Sequence, residues 1–93
     1  SLDSVMVAAA CPARAGDRVL DLGCGVGGAT FCLAYRIPDL VIKGIDIQPQ
    51  YIDLAERNKA NNKNTNRIEF MNADIKTLKT PEPAARFDHV LCN

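Results

Sequence analysis

Three carboxylates end or follow apolar stretches that predict β-strands: Asp21, Asp46 and Asp74. The stretches lie at about residues 18–22, 41–46 and 67–71, and helix-like segments separate them. This alternation predicts an α/β fold, in which ligands bind at the carboxyl ends of the strands. A carboxylate there attracts a cation or accepts hydrogen bonds from adjacent hydroxyls. The three acids are therefore candidate binding residues for a ligand that carries positive charge and hydroxyl groups.

A glycine-rich turn separates the first strand from a predicted helix that extends to about Arg36. Gly23, Gly25 and Gly28 match the dinucleotide pattern G-x-G-x-x-G, while Gly23, Gly25 and Gly27 match G-x-G-x-G equally well. Glycine allows positive φ and lets a ligand approach the main chain closely. The first N–H groups of the following helix favour an anionic group such as a carboxylate or phosphate. We therefore predict that this turn binds a small charged cofactor.

Asp21, two residues before the first glycine, bears on which cofactor that is. A carboxylate at the end of the strand would repel a pyrophosphate by about 1 kcal/mol or more at close range, whereas it would attract an ammonium or sulfonium. Asp46 follows Gly28 by 18 residues, near the offset of about 20 at which a ribose-binding acid is expected. Since a ribose also occurs in NAD, Asp46 leaves a NAD-binding domain of an oxidoreductase as an alternative.

The stretch Val-Leu-Asp-Leu-Gly-Cys-Gly at residues 19–25 resembles motif I of the class I S-adenosylmethionine-dependent methyltransferases. The resemblance implies a Rossmann-like three-layer α/β sandwich with a mostly parallel sheet, and residues 1–93 would form its N-terminal, cofactor-binding part. It implies that the turn binds the methionine part of S-adenosylmethionine, Asp46 the ribose hydroxyls and Asp74 the adenine amine, with flanking apolar residues covering the ring. The cofactor-binding residues expected in this way are Asp21, Gly23, Cys24, Gly25, Gly27, Asp46, Ile47, Ala73, Asp74 and Ile75.

Residues 87–93, Phe-Asp-His-Val-Leu-Cys-Asn, resemble the start of motif IV in the amino-methylating branch of this family. In that branch an Asn-Pro-Pro-aromatic sequence holds the target amine, and of it this sequence contains Asn93. The resemblance implies that Asn93 is catalytic and that the methyl group goes to an exocyclic amine. Hydrogen-bond acceptors that favour a pyramidal nitrogen, together with in-line placement, would supply the rate enhancement. His89, the sole histidine, is interpreted as a packed strand residue rather than a base.

Residues 3–10 and 12–23 are similar to the N-terminal part of the bacterial tRNA adenine-N6 methyltransferases. This resemblance implies adenine N6 of tRNA as the methyl acceptor. With 11 basic and 11 acidic side chains the formal net charge is +0, so we expect tRNA contacts in regions outside this segment. A protein glutamine amide and an rRNA base remain alternative acceptors because the same asparagine motif serves them. A binding domain without catalytic activity is a further alternative.

The chain has 93 residues, 47% of them hydrophobic, and lacks an unbroken apolar stretch of membrane-spanning length. Its cysteines, at positions 11, 24, 32 and 92, show no C-x-x-C spacing. We therefore expect a cytoplasmic protein without a metal site or membrane association. Because the length is short of a full doubly wound fold, we expect a fragment of a longer chain, inactive by itself.

Further elements are predicted on either side of the turn. An apolar segment at 2–10 predicts a helix, and 87–92 predicts a fourth strand. Pro49 fits the first turn of another helix. Helical spacing predicts that its packed face comprises Tyr51, Leu54, Ala55 and Asn58.

Overall fold

The computed structural model describes residues 2–77 and 86–92. Within these residues, helices alternate with the strands of one sheet. In chain order the elements are α1 (Leu2–Ala10), β1 (Arg18–Leu22), α2 (Gly28–Arg36), β2 (Val41–Asp46), α3 (Pro49–Lys59), β3 (Ile68–Asn72) and β4 (His89–Cys92). The strand bounds agree with the predicted ones to within two residues, and α1 has the predicted bounds.

The described strands form a parallel sheet in the order β3-β2-β1-β4. Parallel βαβ crossovers are right-handed, so α2 and α3, which step across the sheet in the same direction, lie on one face. The chain then returns to place β4 on the other side of β1, and the strand order reverses between β1 and β4. Ligands of open α/β sheets bind at such a reversal, outside the carboxyl ends of the strands. This architecture confirms the predicted Rossmann-like fold class.

The core lies between this face of the sheet and the helices α1 and α2. Val19, Ile42 and Ile68 form one row across β1, β2 and β3 and are almost fully buried. Leu33 of α2 and Ala8 of α1 belong to the same buried cluster. Burial of each large aliphatic side chain contributes about 1.5–3 kcal/mol relative to exposure. The cluster therefore holds α2 against β1, and with it the turn that joins them.

Gly44 of β2 leaves room for aromatic packing below that turn. A Cβ at Gly44 would lie 2.8 Å from Cδ1 of Phe70 and 3.1 Å from Cβ of Cys24. Phe70 meets Phe31 of α2 edge to face, with the ring centroids 5.7 Å apart. The missing side chain at Gly44 thus lets Phe70 and Cys24 pack directly on β2.

The predicted packed face of α3 is wrong at Tyr51 and Leu54, whereas Ala55 is buried and Asn58 is half-buried. The buried residues of this helix are Ile52 and Ala55, whereas Tyr51 and Leu54 are 43% and 41% exposed. Apolar residues occur on more than one side of α3, so its spacing alone fits two faces. Packing against β2 and β3 selects the face through Ile52.

The fourth strand begins at His89, two residues later than predicted. Just before it, Oδ2 of Asp88 accepts a hydrogen bond of 2.9 Å from the backbone N–H of Arg18. The backbone N–H of Asp88 donates to the carbonyl of Arg18 at 2.8 Å. A side-chain carboxylate therefore takes the place of a carbonyl acceptor at the start of the ladder between β1 and β4.

Candidate functional site

The glycine turn is bound to the end of β2 through its backbone. The N–H groups of Gly23 and Cys24 both donate to the carbonyl of Ile45, at 2.8 and 3.0 Å. Gly23, Gly25 and Gly27 have φ of +71°, +57° and +98°. Such left-handed values disfavour side chains, which explains the glycine at these positions. The sequence therefore produces a tight turn of fixed shape above the carboxyl ends of β1 and β2.

One side of the turn is open, and the other is closely packed. A Cβ at Gly25 would meet no atom within 4 Å, whereas a Cβ at Gly27 would contact the ring of Phe31. Gly27 is also the N-cap of α2 and, as a glycine, has no side chain of its own with which to cap the helix. The first N–H groups of a helix lack intrahelical acceptors, so this end of α2 favours a carboxylate or another anion.

Asp21 lies directly below the turn and is fully buried. Its Oδ2 accepts a hydrogen bond of 2.8 Å from Oγ1 of Thr30. Its Oδ1 has no hydrogen-bond partner among the described residues. Burial raises the pKa of Asp21 to about 6; the Thr30 hydrogen bond opposes this shift, and the neighbouring charge of Asp46 adds to it. An unpartnered buried carboxylate oxygen fits a cationic ligand group, which would stabilise its ionised form.

Asp46 is held by backbone donors from two segments. Its Oδ2 accepts the N–H of Gly25 at 2.8 Å, and its Oδ1 accepts the N–H of Gln48 at 2.9 Å. Each carboxylate oxygen has further acceptor capacity, so a fixed Asp46 can still accept hydrogen bonds from a pair of hydroxyls. The following residue, Ile47, is 58% exposed beside it.

The backbone of the loop after β3 joins the same edge. The N–H of Ala73 donates to the carbonyl of Asp46 at 3.0 Å. Asp74 is half-buried, and its Oδ1 accepts the N–H of Lys76 at 2.9 Å. Ile75 is 45% exposed. The structure thus brings the loops that carry the three predicted acids together at the carboxyl edge of the sheet.

Asn72 belongs to this region, although sequence reasoning did not single it out. Its Nδ2 donates to the carbonyls of Asp46 and Ile47, at 3.0 and 2.9 Å. These bonds fix the backbone after β2 against the end of β3. The available signal was an amide side chain at a strand end immediately before the Ala-Asp-Ile segment.

Cys24 contributes shape rather than thiol chemistry. It is buried, and burial together with the charges of Asp21 and Asp46 raises the pKa of its thiol to about 12. A thiol with such a pKa remains protonated near neutral pH and is neither a nucleophile nor a good metal ligand. Over the ranges 2–77 and 86–92, no group of three or more histidine, cysteine or acidic side chains is arranged to hold a metal ion.

Two residues that the sequence analysis considered are not among the described residues of this edge. Asn93, the expected catalytic residue, is outside the described residues; Cys92 before it pairs with Leu22, which precedes the glycine turn. His89 begins β4 at the opposite edge of the sheet, where its Nε2 lies 2.9 Å from Oδ2 of Asp17. The N–H of Arg14 and this contact hold the pKa of Asp17 below its usual value. His89 therefore joins two segments towards the amino edge, and its register partner Val19 lies two residues before Asp21 on β1.

A cavity of about 630 Å³ also lies towards the amino ends of the strands, lined in part by Arg18, Lys43 and Arg67. It is separate from the edge that carries Asp21 and Asp46. Among the described helices, none has both the length and the apolar character to span a bilayer.

Comparisons with known proteins agree with this geometry. A family described as a methyltransferase domain matches residues 13–93. The tRNA1(Val) (adenine(37)-N6)-methyltransferase of Vibrio campbellii is 30% identical over 93 residues, which are all of this chain and 38% of that protein. The demethylmenaquinone methyltransferase of Deinococcus radiodurans is 43% identical over 75 residues, 81% of this chain and 30% of that protein. The chain thus spans well under half the length of these relatives.

A solved structure gives the same result at the level of the fold and the family. The methyltransferase from Thiobacillus denitrificans, in complex with S-adenosyl-L-homocysteine, superposes with a TM-score of 0.79 at 26% identity. The match covers 99% of this chain and 36% of that one. It favours a methyltransferase over the oxidoreductase alternative. The chain belongs to the methyltransferase domain family and, within it, to the class I S-adenosylmethionine-dependent enzymes.

Proposed function

We propose that this chain is the S-adenosylmethionine-binding part of an enzyme that methylates an exocyclic amine, with adenine N6 of a tRNA as the acceptor. The observation that carries the choice of acceptor is the similarity to the Vibrio campbellii tRNA methyltransferase, which extends over the whole chain. The similarity to the demethylmenaquinone methyltransferase covers 81% of it. A tRNA acceptor also favours a cytoplasmic location.

In this proposal the carboxyl edge of the sheet binds the cofactor. Asp21, whose Oδ1 has no hydrogen-bond partner among residues 2–77 and 86–92, attracts the ammonium of the methionine part, and the N–H groups at the start of α2 attract its carboxylate. Asp46 accepts hydrogen bonds from the ribose hydroxyls. The hydrogen bonds that the backbone N–H groups of Gly25 and Gln48 donate to its carboxylate keep it in place before the ligand arrives. The bound cofactor supplies an electrophilic methyl group on a sulfonium.

The adenine part is assigned to the loop after β3. Asp74 accepts a hydrogen bond from the adenine amine, while Ala73 and Ile75 cover the ring. The partial exposure of all three residues supports this assignment, because a ligand can reach them. Gly23, Gly25 and Gly27 keep the main chain close to the cofactor, and the neutral Cys24 fills the space behind the turn.

Asn93 is proposed to hold the acceptor amine through its side-chain carbonyl. It directly follows Cys92, the register partner of Leu22, and Leu22 directly precedes the glycine turn. A hydrogen bond from the amine to a fixed acceptor directs the nitrogen lone pair towards the methyl group. An adenine in an RNA loop would have to leave its stack to reach such a site.

Two measurements on the full-length protein test the proposal. Calorimetric titration with S-adenosylhomocysteine and, separately, with NAD should give saturable binding of the first and no heat from the second. Transfer of labelled methyl from S-adenosylmethionine should then occur to a valine tRNA anticodon stem-loop. The same RNA with inosine in place of the target adenosine lacks the amine and should remain unlabelled.

The variant Asn93→Ala separates binding from catalysis. It should bind S-adenosylhomocysteine like the wild type and lose methyl transfer, because the amine is no longer held. Labelling of a quinol, a glutamine peptide or an rRNA fragment instead of the tRNA would overturn the proposed acceptor. Absence of any S-adenosylhomocysteine binding would overturn the assigned cofactor site.

A further inference from the structure

Thr30 is a buried polar residue on α2 that none of the sequence motifs includes. Its side chain is fully buried, and its Oγ1 donates a hydrogen bond of 2.8 Å to Oδ2 of Asp21. The two residues are nine positions apart and lie on either side of the glycine turn. The bond therefore connects α2 directly to the end of β1 beneath the proposed cofactor site.

Thr30 is the third residue of α2, so the residues three and four positions earlier, Gly27 and Val26, precede the helix. The carbonyl acceptors that a threonine in the middle of a helix finds one turn earlier are therefore not helical ones here. Here the hydroxyl donates to a carboxylate on another element, and it engages one oxygen while the other has no partner among the described residues. The hydrogen bond thus limits rotation of the carboxylate and determines which oxygen remains for a ligand.

The surroundings of Asp21 do not otherwise favour its ionised form. Among the described residues, Asp46 is the charged group that acts on it and it is repulsive, and the nearby thiol of Cys24 is neutral. Burial in such surroundings favours a protonated carboxyl, whereas a donated hydrogen bond favours the carboxylate. Only the carboxylate can attract a cation.

We propose that Thr30 is a positioning residue for cofactor binding: its hydroxyl orients the Asp21 carboxylate and favours the ionised form, so that Oδ1 remains available to the ammonium group of S-adenosylmethionine. This inference rests on the proposed function of the site. Thr30 acts through Asp21 and does not itself touch the cofactor.

The test compares wild type, Thr30→Val and Thr30→Ser in the full-length protein. Valine keeps the shape of the side chain and removes the donor, while serine keeps the donor. The affinity for S-adenosylhomocysteine is measured by calorimetry from pH 5.5 to 8.5. The titration of the Asp21 carboxyl is followed by ¹³C nuclear magnetic resonance in the same variants without ligand.

Thr30→Val should bind about tenfold more weakly at pH 7, as expected for a lost hydrogen bond to a charged group. The deficit should be larger at pH 6 than at pH 8.5, because the Asp21 carboxyl of this variant takes up its proton at higher pH. Thr30→Ser should restore both the affinity and the pH profile. The cofactor's own amino group titrates equally in all three proteins and cancels from their ratio.

A deficit of the same size at every pH, or a failure of serine to restore the profile, would indicate a packing role and overturn the inference. If Thr30→Val does not fold at pH 7, it should fold at pH 5 or when combined with Asp21→Asn, because in neither case is an unpaired charge buried. Failure to fold in both cases also overturns the inference. Wild-type protein that binds no S-adenosylhomocysteine would instead refute the proposed function. In that case the carboxyl titration still decides whether Thr30 favours the ionised Asp21.

Discussion

The backbone N–H of Gly25 donates a hydrogen bond of 2.8 Å to Oδ2 of Asp46, which joins the glycine turn after β1 to the acid at the end of β2. The turn and the acid are proposed to bind different parts of the same cofactor. Because they are bonded to each other, neither has to be ordered when the ligand arrives, which reduces the entropic cost of binding. A change at either residue should therefore affect binding through both.

Asp46→Asn should weaken binding of S-adenosylhomocysteine about tenfold to a hundredfold, as expected for disrupted hydrogen bonds to a charged group. The amide would direct its NH₂ group towards one of the two backbone donors, Gly25 or Gln48, that the carboxylate now satisfies. Calorimetry measures the effect. The matched control is Asp53→Asn, which makes the same change at an exposed position of α3. Equal affinities for the two variants would contradict the role of Asp46.

Gly25→Ala and Gly16→Ala should separate backbone strain from loss of the site. Both glycines have positive φ, +57° and +87°, and a Cβ at either would meet no atom within 4 Å. Each substitution should therefore destabilise the fold by about 1–2 kcal/mol, the cost of a left-handed alanine. Only Gly25→Ala places a methyl group at the proposed binding turn, so only it should lose S-adenosylhomocysteine binding.

Thermal denaturation and calorimetry on the two variants check this expectation. Retention of binding by Gly25→Ala, with stability like that of Gly16→Ala, would show that the open side of the turn does not face the cofactor. Loss of binding by both would show that the stability of the fold, not the space at Gly25, controls affinity.

The sequence predicts the order of elements and the acids at the strand ends because these depend on local patterns. Strand alternation and the glycine spacing place Asp21 and Asp46 at one edge without knowledge of any contact. The hydrogen bonds from the Asn72 amide and from the Thr30 hydroxyl are different, since each joins two separate elements of the fold and depends on how those elements pack. The buried face of α3 through Ile52 was also missed, because only packing on the sheet distinguishes it from the alternative.

Asp21 should make the protein more stable at pH 5 than at pH 7 when no ligand is present. Its pKa is raised from 3.8 to about 6, so between these values the folded state binds more protons than the unfolded state. Stability therefore falls as pH rises through this window. The raised pKa corresponds to at most about 3 kcal/mol over the full titration of the carboxyl, and somewhat less than half of this falls between pH 5 and pH 7. Urea denaturation of wild type at pH 5 and pH 7 measures the difference.

Asp21→Asn supplies the control, because it removes the titrating group while other groups contribute equally to both proteins. The stability difference between variant and wild type should favour the variant more at pH 7 than at pH 5. Asp17 does not interfere, since its lowered pKa places its loss of stabilisation at lower pH. A saturating concentration of S-adenosylhomocysteine should reduce the pH dependence of the wild type, because the ammonium pairs with the ionised carboxylate. Identical pH dependences for wild type and Asp21→Asn would show that ionisation of the buried Asp21 carboxyl does not reduce the free energy of unfolding. The preference of this site for a cation would then lack an electrostatic reason.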